Sequence, residues 1–297
     1  MIKKWILTGD THGGMATISR VGNINRNMNC IPEETGIIIL GDAGLNFYLN
    51  NTDKKYKKLL NSQGYHIYCV RGNHEERPEN LDYELDYDPE VKGLVYLDPS
   101  FENIQYLVDG EEYWFGEHSA LVIGGAYSID KWYRLARAGY SPEEAEIANP
   151  KKCGWFKDEQ LTAAEVADIW DKVTGRHYDF ILTHTCPLSW EPTDLFLGGI
   201  DQSQVDKFME TFLDDIKDRC SWSVWCFGHY HADRVERPCV EQFYMDYEDM
   251  EVVWNRYHGE KTYTKEWWLP KSPYMSIWEN SEEGQAWLSS VSPSTSS

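Results

Sequence analysis

Several things are scarce or missing in this 297-residue chain, and each absence narrows its function. No apolar run approaches the ~20 residues needed to span a bilayer, and Lys3-Lys4 precede only Trp5-Ile6-Leu7, too short for a signal-peptide core. The expectation is therefore a cytoplasmic protein without a membrane partner. Basic residues are few: 28 Lys and Arg face 49 Asp and Glu, a formal charge of −21, which works against nonspecific attraction to nucleic acid or anionic surfaces. The seven cysteines, Cys30, Cys69, Cys153, Cys186, Cys220, Cys226 and Cys239, are odd in number and lack metal-knuckle or redox-pair spacing, as expected of reduced thiols. Gly13-Gly14 has no third glycine at dinucleotide-binding spacing, and no internal repeat is present.

What is there is a recurring pattern. Five short apolar runs each lead into residues that bind divalent metals: Leu7-Thr8-Gly9 into Asp10 and His12, Ile37 to Gly41 into Asp42, Ile67 to Val70 into Asn73 and His74, Phe180 to Thr183 into His184, and Val224 to Gly228 into His229 and His231. Ligand sites of open α/β sheets lie outside the carboxyl ends of the strands, so five such ends gather these side chains in one crevice. The donors are imidazoles, carboxylates and one amide, a set suited to a two-metal site of mixed nitrogen and oxygen ligands, unlike the four Cys or His ligands that close a structural zinc site. Asp10 and His12, like His229 and His231, are two apart, so an extended backbone is expected to point both members of each pair to one side.

The blocks Gly9-Asp10-Thr11-His12-Gly13, Gly41-Asp42, Arg71-Gly72-Asn73-His74-Glu75, Thr183-His184 and Gly228-His229-Tyr230-His231 resemble, in order, the five signature blocks of the calcineurin-like metallophosphoesterase superfamily, with Arg71 and Glu75 as in its serine/threonine protein phosphatase branch. The resemblance implies an α/β fold, a four-layer αββα sandwich of two mixed sheets flanked by helices. It implies two divalent metal ions (Mn, Fe, Zn or Ni): Asp10, His12 and His231 on the first, Asn73, His184 and His229 on the second, and Asp42 bridging both. It also implies a hydrolase in which a metal-bridging hydroxide attacks phosphorus in line and His74 serves as general acid. A phosphomonoesterase is the leading expectation, acting on a phosphorylated small molecule, nucleotide or phosphoprotein. A phosphodiesterase or nucleotide or dinucleoside polyphosphate hydrolase is the alternative, and a noncatalytic binding scaffold a lesser one.

The chain departs from that branch after Asp42, where Ala43-Gly44-Leu45-Asn46 replaces the Asp that supports the catalytic His and the Arg that grips phosphate. Arg71, and Lys131 and Arg134 beyond the run Leu121-Val122-Ile123, are the candidate substrate-binding residues. Cys186, two residues after His184, is weighed as a nucleophile and set aside, because a thiolate mechanism makes the other ligands pointless. His66, His118, His177 and His258 are read as surface or satisfied core residues.

Helical spacing is expected over residues 53–62, 158–173 and 203–217, and Ser141-Pro142-Glu143-Glu144 reads as a helix start. Residues 243–254 alternate aromatic and acidic positions, as in a strand pair closing the second sheet or, with Asp246, Glu248, Asp249 and Glu251, a solvated edge. The expected division is a metallophosphoesterase domain over 1–255 and an aromatic appendage over 256–297, with Trp267, Trp268, Trp278 and Trp287, ending in a disordered Ser-rich tail.

Overall fold

Strands β1 (Lys4–Thr8), β2 (Thr35–Ile39) and β3 (His66–Cys69) are apolar at nearly every position, and the computed structural model, which describes residues 1–258, shows why. Both faces of their sheet are covered. Trp5, Leu7, Ile38 and Tyr68 face a second sheet, while Ile6, Ile37, Ile39 and Ile67 face helices on the other side. The chain continues through β4 (Glu84–Asp88), β5 (Gly93–Leu97), β6 (Ile104–Leu107), β7 (Glu112–Phe115), β8 (His118–Ile123), β9 (His177–Thr183), β10 (Ser221–Phe227), β11 (Arg234–Arg237), β12 (Val240–Gln242) and β13 (Tyr247–Asp249). The first sheet has the order β13-β1-β2-β3-β6-β5-β4 and the second β11-β12-β10-β9-β8-β7. Each has four parallel strands at its centre and antiparallel strands at its edges, so the expected pair of mixed sheets is found.

The helices are α1 (Gly14–Met28), α2 (Asn51–Asn61), α3 (Lys131–Arg137), α4 (Pro150–Cys153), α5 (Ala163–Val173), α6 (Phe208–Arg219) and α7 (Met250–His258). Val21 and Ile24 of α1 and Leu60 of α2 cover the first sheet, and Val166, Ile169, Phe212 and Leu213 of α5 and α6 cover the second, which completes the four layers. Three expected helices begin later than their apolar spacing suggests or at a cap. The Asn50 side chain accepts from Thr52 N, and Thr162 and Glu165 close a capping box that starts α5. Residues 203–207 hold a 3₁₀ turn and a bend, so α6 begins only at Phe208. Ser141 also closes a capping box, but over a 3₁₀ helix, Pro142–Ile147.

Residues 243–254 differ from expectation. They form no strand pair in the second sheet: β13 pairs antiparallel with β1 of the first, and α7 follows directly. Met250, Val253, Trp254 and Tyr257 recur at helical spacing, and this stripe packs on the core between the sheets. Helix α7 runs across the expected division at 255/256, and Arg256 Nη1 donates to Glu241 Oε2 at 2.6 Å. The expected aromatic appendage and tail lie, beyond His258, outside the described residues. Among those described, no helix is long and apolar enough to cross a membrane.

Leu213 is fully buried between α6 and the second sheet. Leu213→Ala is expected to lower unfolding stability by about 2–5 kcal/mol, read by urea denaturation; a loss below about 1 kcal/mol contradicts this packing.

Candidate metal centre

The carboxyl ends of β1, β2 and β3 in one sheet and of β9 and β10 in the other meet at one side of the sandwich. Asp10, Asp42, Asn73 and His184 are buried there to 1% exposure or less, while His12 and His231 reach the surface. The convergence is not produced by extended backbone. β1 ends at Thr8 and β10 at Phe227, and His12 (φ 49°), Asp42 (φ 48°), His229 (φ 66°) and His231 (φ 53°) lie in the left-handed region. Such conformations cost on the order of 1 kcal/mol or more each and persist where surrounding packing enforces them. Tight turns, not strand alternation, bring each pair of ligands together. Close approach also demands glycine: a methyl group at Gly41 would land on the His184 imidazole, and one at Gly72 on the Asp42 carboxylate.

Two clusters result. In the first, His12 Nε2 lies 3.0 Å from Asp10 Oδ1 and 2.6 Å from His231 Nε2, and His231 Nε2 lies 3.2 Å from Asp10 Oδ2. In the second, His184 Nε2 is 2.9 Å from Asn73 Oδ1, with the His229 ring centroid 5.0 Å from that of His184. Asp42 stands between them, its Oδ2 3.9 Å from His12 Nδ1 and its Oδ1 3.7 Å from His184 Nε2. Asp42 thus neighbours both clusters, with donor atoms within 4.8 Å of those of Asp10 and His184 in one grouping and of His12 and His74 in another.

The donor set fits cations. Both Asp10 oxygens and Asp42 Oδ2 are buried without a hydrogen bond, and buried anions of this kind need a counter-charge. His184 Nδ1 sits 2.9 Å from Leu40 O and donates to it, which in the neutral ring leaves Nε2 as a lone pair. That lone pair faces Asn73 Oδ1, because the Asn73 amide spends its Nδ2 on Ser128 Oγ at 2.8 Å. Two acceptors face each other at hydrogen-bonding distance, an arrangement a shared cation satisfies. Burial opposes ionisation of Asp42, but His184, His74 and His12, together with the His74 N–H, outweigh it and hold the carboxyl well below its usual range. Burial, reinforced by His184, pushes His229 far below the ordinary imidazole value and keeps its ring neutral.

A family model described as calcineurin-like phosphoesterase matches residues 4–233. The chain belongs to the calcineurin-like phosphoesterase family. It is accordingly a metallophosphoesterase, a hydrolase of phosphoric esters. A search of curated proteins gave no match.

The phosphoesterase cleft of about 500 Å³ opens over these clusters and is lined by His74, Asp130, Arg134, Phe196, Lys207 and Tyr230 among others. Of the three candidate substrate-binding residues, only Arg134 reaches it. Arg71 is buried, its Nε on Asp109 at 2.8 Å and its Nη1 and Nη2 on the carbonyls of Glu159 and Gly124, so it braces the 71–75 segment. Lys131 turns away, its ammonium 4.3 Å from the ring centre of Trp155 and 4.8 Å from that of Trp132. Cys186 is fully buried in the core of the second sheet, and burial drives its thiol pKa well up, which disfavours a nucleophile. His118 contacts Glu251 at 2.9 Å on the far edge of the sandwich, a satisfied residue.

Sequence reasoning missed the relay behind Asn73. Ser128 Oγ donates to Glu159 Oε2 at 2.5 Å and its N–H to Oε1 at 3.0 Å, which orients the hydroxyl and, through it, the amide. Nothing in local spacing joins residues 73, 128 and 159.

Asp42→Asn is expected to lower bound metal and turnover together, because both clusters depend on one side chain; metal analysis after dialysis showing unchanged content contradicts a bridging position. Ser128→Ala, which frees the Asn73 amide to rotate, is expected to weaken metal affinity by about 10- to 100-fold with the fold intact. Isothermal titration of stripped protein measures it, and wild-type affinity would remove the relay from the site.

Proposed function

We propose that this phosphoesterase is a phosphomonoesterase operating with two divalent cations, one held by Asp10, His12 and His231 and the other by Asn73, His184 and His229, with Asp42 between them. The observation that supports this reading is the place of Asp42, which shares one compact group of possible metal donors with Asp10 and His184 and another with His12 and His74. When bound, such a pair supplies an activated water and neutralises charge on the phosphoryl oxygens. The imidazole and carboxylate set accepts Mn, Fe, Zn or Ni, and availability decides among them.

The chain's own groups do the rest. His74 lines the cleft, its N–H held by Asp42 Oδ1 at 2.8 Å and its ring Nδ1 buried without a hydrogen bond among the described residues. It is placed to give a proton to the departing alkoxide. Burial lowers its pKa, Arg134 and His12 act in the same direction, and Asp42 and Asp130 oppose them. Arg134 is held through Nε by Asp130 at 2.6 Å and through Nη1 by Gly154 O at 2.9 Å. This clamp leaves Nη2 to meet a phosphate oxygen, and the extra negative charge of a monoester rewards such a group more than a diester does. Phosphorylated small molecules, nucleotides and phosphoproteins remain the substrate range.

A diesterase is the second reading, favoured by a cleft roomy enough for another substituent on phosphorus. Hydrolysis of p-nitrophenyl phosphate and of its bis ester by stripped protein reloaded with each metal separates the two. Faster turnover of the bis ester under every metal selects the diesterase, and no turnover of either ester ends the catalytic assignment.

His74→Ala should retain its metals and lose about 10²- to 10⁴-fold in kcat on alkyl phosphates, with a much smaller loss on p-nitrophenyl phosphate, whose leaving group scarcely needs a proton. Equal losses on both would take the general-acid role from His74.

A further inference from the structure

The cleft wall built by residues 195–210 and Tyr230 has a chemistry that the metal centre does not use. Leu195, Phe196 and Val205 give it an apolar face, and the Phe196 ring lies nearly parallel to that of Tyr230, at 22° and 6.4 Å. Behind this face stands Glu210 of α6, 3% exposed. Its Oε1 accepts from Thr185 Oγ1 at 2.7 Å, but its Oε2 is buried with no hydrogen bond among the described residues. A carboxylate oxygen left so in an apolar surround is costly unless a donor reaches it. Burial pushes the Glu210 carboxyl up to about 7. The one cation on this wall is already engaged: Lys207 Nζ sits 2.6 Å from Glu191 Oε1 and 4.8 Å from the centre of the Phe196 ring. With Lys207 paired to Glu191, the wall offers no uncommitted cation to a second phosphate.

We propose that this wall is a leaving-group subsite for an uncharged or cationic flat aromatic group carrying a hydrogen-bond donor, an inference that rests on the phosphomonoesterase reading of the adjoining centre. The aromatic group lies against Phe196 and Tyr230, and its donor meets Glu210 Oε2. Apolar pockets with a few placed polar groups select ligands in this way. The reaction is ordinary ester hydrolysis: a water oxygen bonds to phosphorus, the ester P–O bond breaks, the departing alkoxide takes a proton from His74, and a proton released by the attacking water restores His74.

The test uses the metal-loaded full chain and four primary alkyl phosphates with closely similar leaving oxygens: ethyl, 2-cyclohexylethyl, 2-phenylethyl and 2-(4-aminophenyl)ethyl phosphate. In the wild type, kcat/KM is expected to rise along that series, with the phenyl ester about ten-fold above the ethyl. Phe196→Ala is expected to cut the phenyl-to-ethyl ratio about five-fold, the scale of one aromatic pair. Glu210→Gln is expected to erase the further gain from the amino group and to leave the phenyl-to-cyclohexyl ratio in place. Equal kcat/KM for all four esters in the wild type, or a phenyl-to-ethyl ratio that survives Phe196→Ala, overturns the subsite while the phosphomonoesterase stands. Failure to hydrolyse any of the four brings down the phosphomonoesterase reading and the subsite with it.

Discussion

Two carboxylates buried side by side among imidazoles are the constraint around which this molecule is arranged. Asp10 and Asp42 are at most 1% exposed, and three of their four oxygens make no hydrogen bond within the described chain. Left alone, they would repel each other and resist burial. The surrounding structure is built to keep them there. Left-handed turns at His12, Asp42, His229 and His231, and glycines where any side chain would collide with His184 or Asp42, are local costs that only a compensating ligand justifies. The same feature that makes the fold expensive makes the site suited to cations.

The candidate ligands come from both sheets, and this ties the site to core packing. The first sheet supplies Asp10, His12, Asp42 and Asn73, and the second supplies His184, His229 and His231. Their separation is therefore set by the layer between, where the rings of Trp5, Tyr68 and Phe115 pack tilted or edge to face at 4.8 to 6.2 Å. Interiors packed at crystal density do not deform smoothly. A change of volume in that layer should be felt at the metal clusters even though no core residue touches them.

The site was more legible in the sequence than the scaffold. Each ligand block follows a strand buried on both faces, and such strands announce themselves as unbroken apolar runs, as in Ile37-Ile38-Ile39-Leu40. Helix α1 was not anticipated, because Gly13 stands at its N-cap, its first turn carries no acid, and Gly22 interrupts it. Residues 243–254 misled for another reason: a polar and aromatic stretch satisfies period two and period 3.6 at once, and only packing on the inter-sheet core chose the helix. Arg71, Lys131 and Arg134 show the same limit at single residues. All three are cations near site blocks, yet Arg71 is consumed by Asp109 and two carbonyls and Lys131 by aromatic faces. Which cation faces a cleft depends on partners far along the chain, and spacing carries no record of them.

Chemistry and selectivity reside on different parts of this phosphoesterase. The strand ends hold the ligands rigidly, whereas the cleft walls, residues 127–134 and 195–207, are largely loops and short helical turns. At −21 the molecule's overall field repels phosphate esters at a distance, so long-range steering cannot bring substrate in. Arg134 and Lys207, the cations that line the cleft, are each already paired with an acid, Asp130 and Glu191. Attraction must then come at short range, from the candidate metal centre and Arg134 Nη2 for the phosphoryl group and from apolar and aromatic cleft surface for what it is attached to. A phosphate ester with little else to bury gains only the first of these.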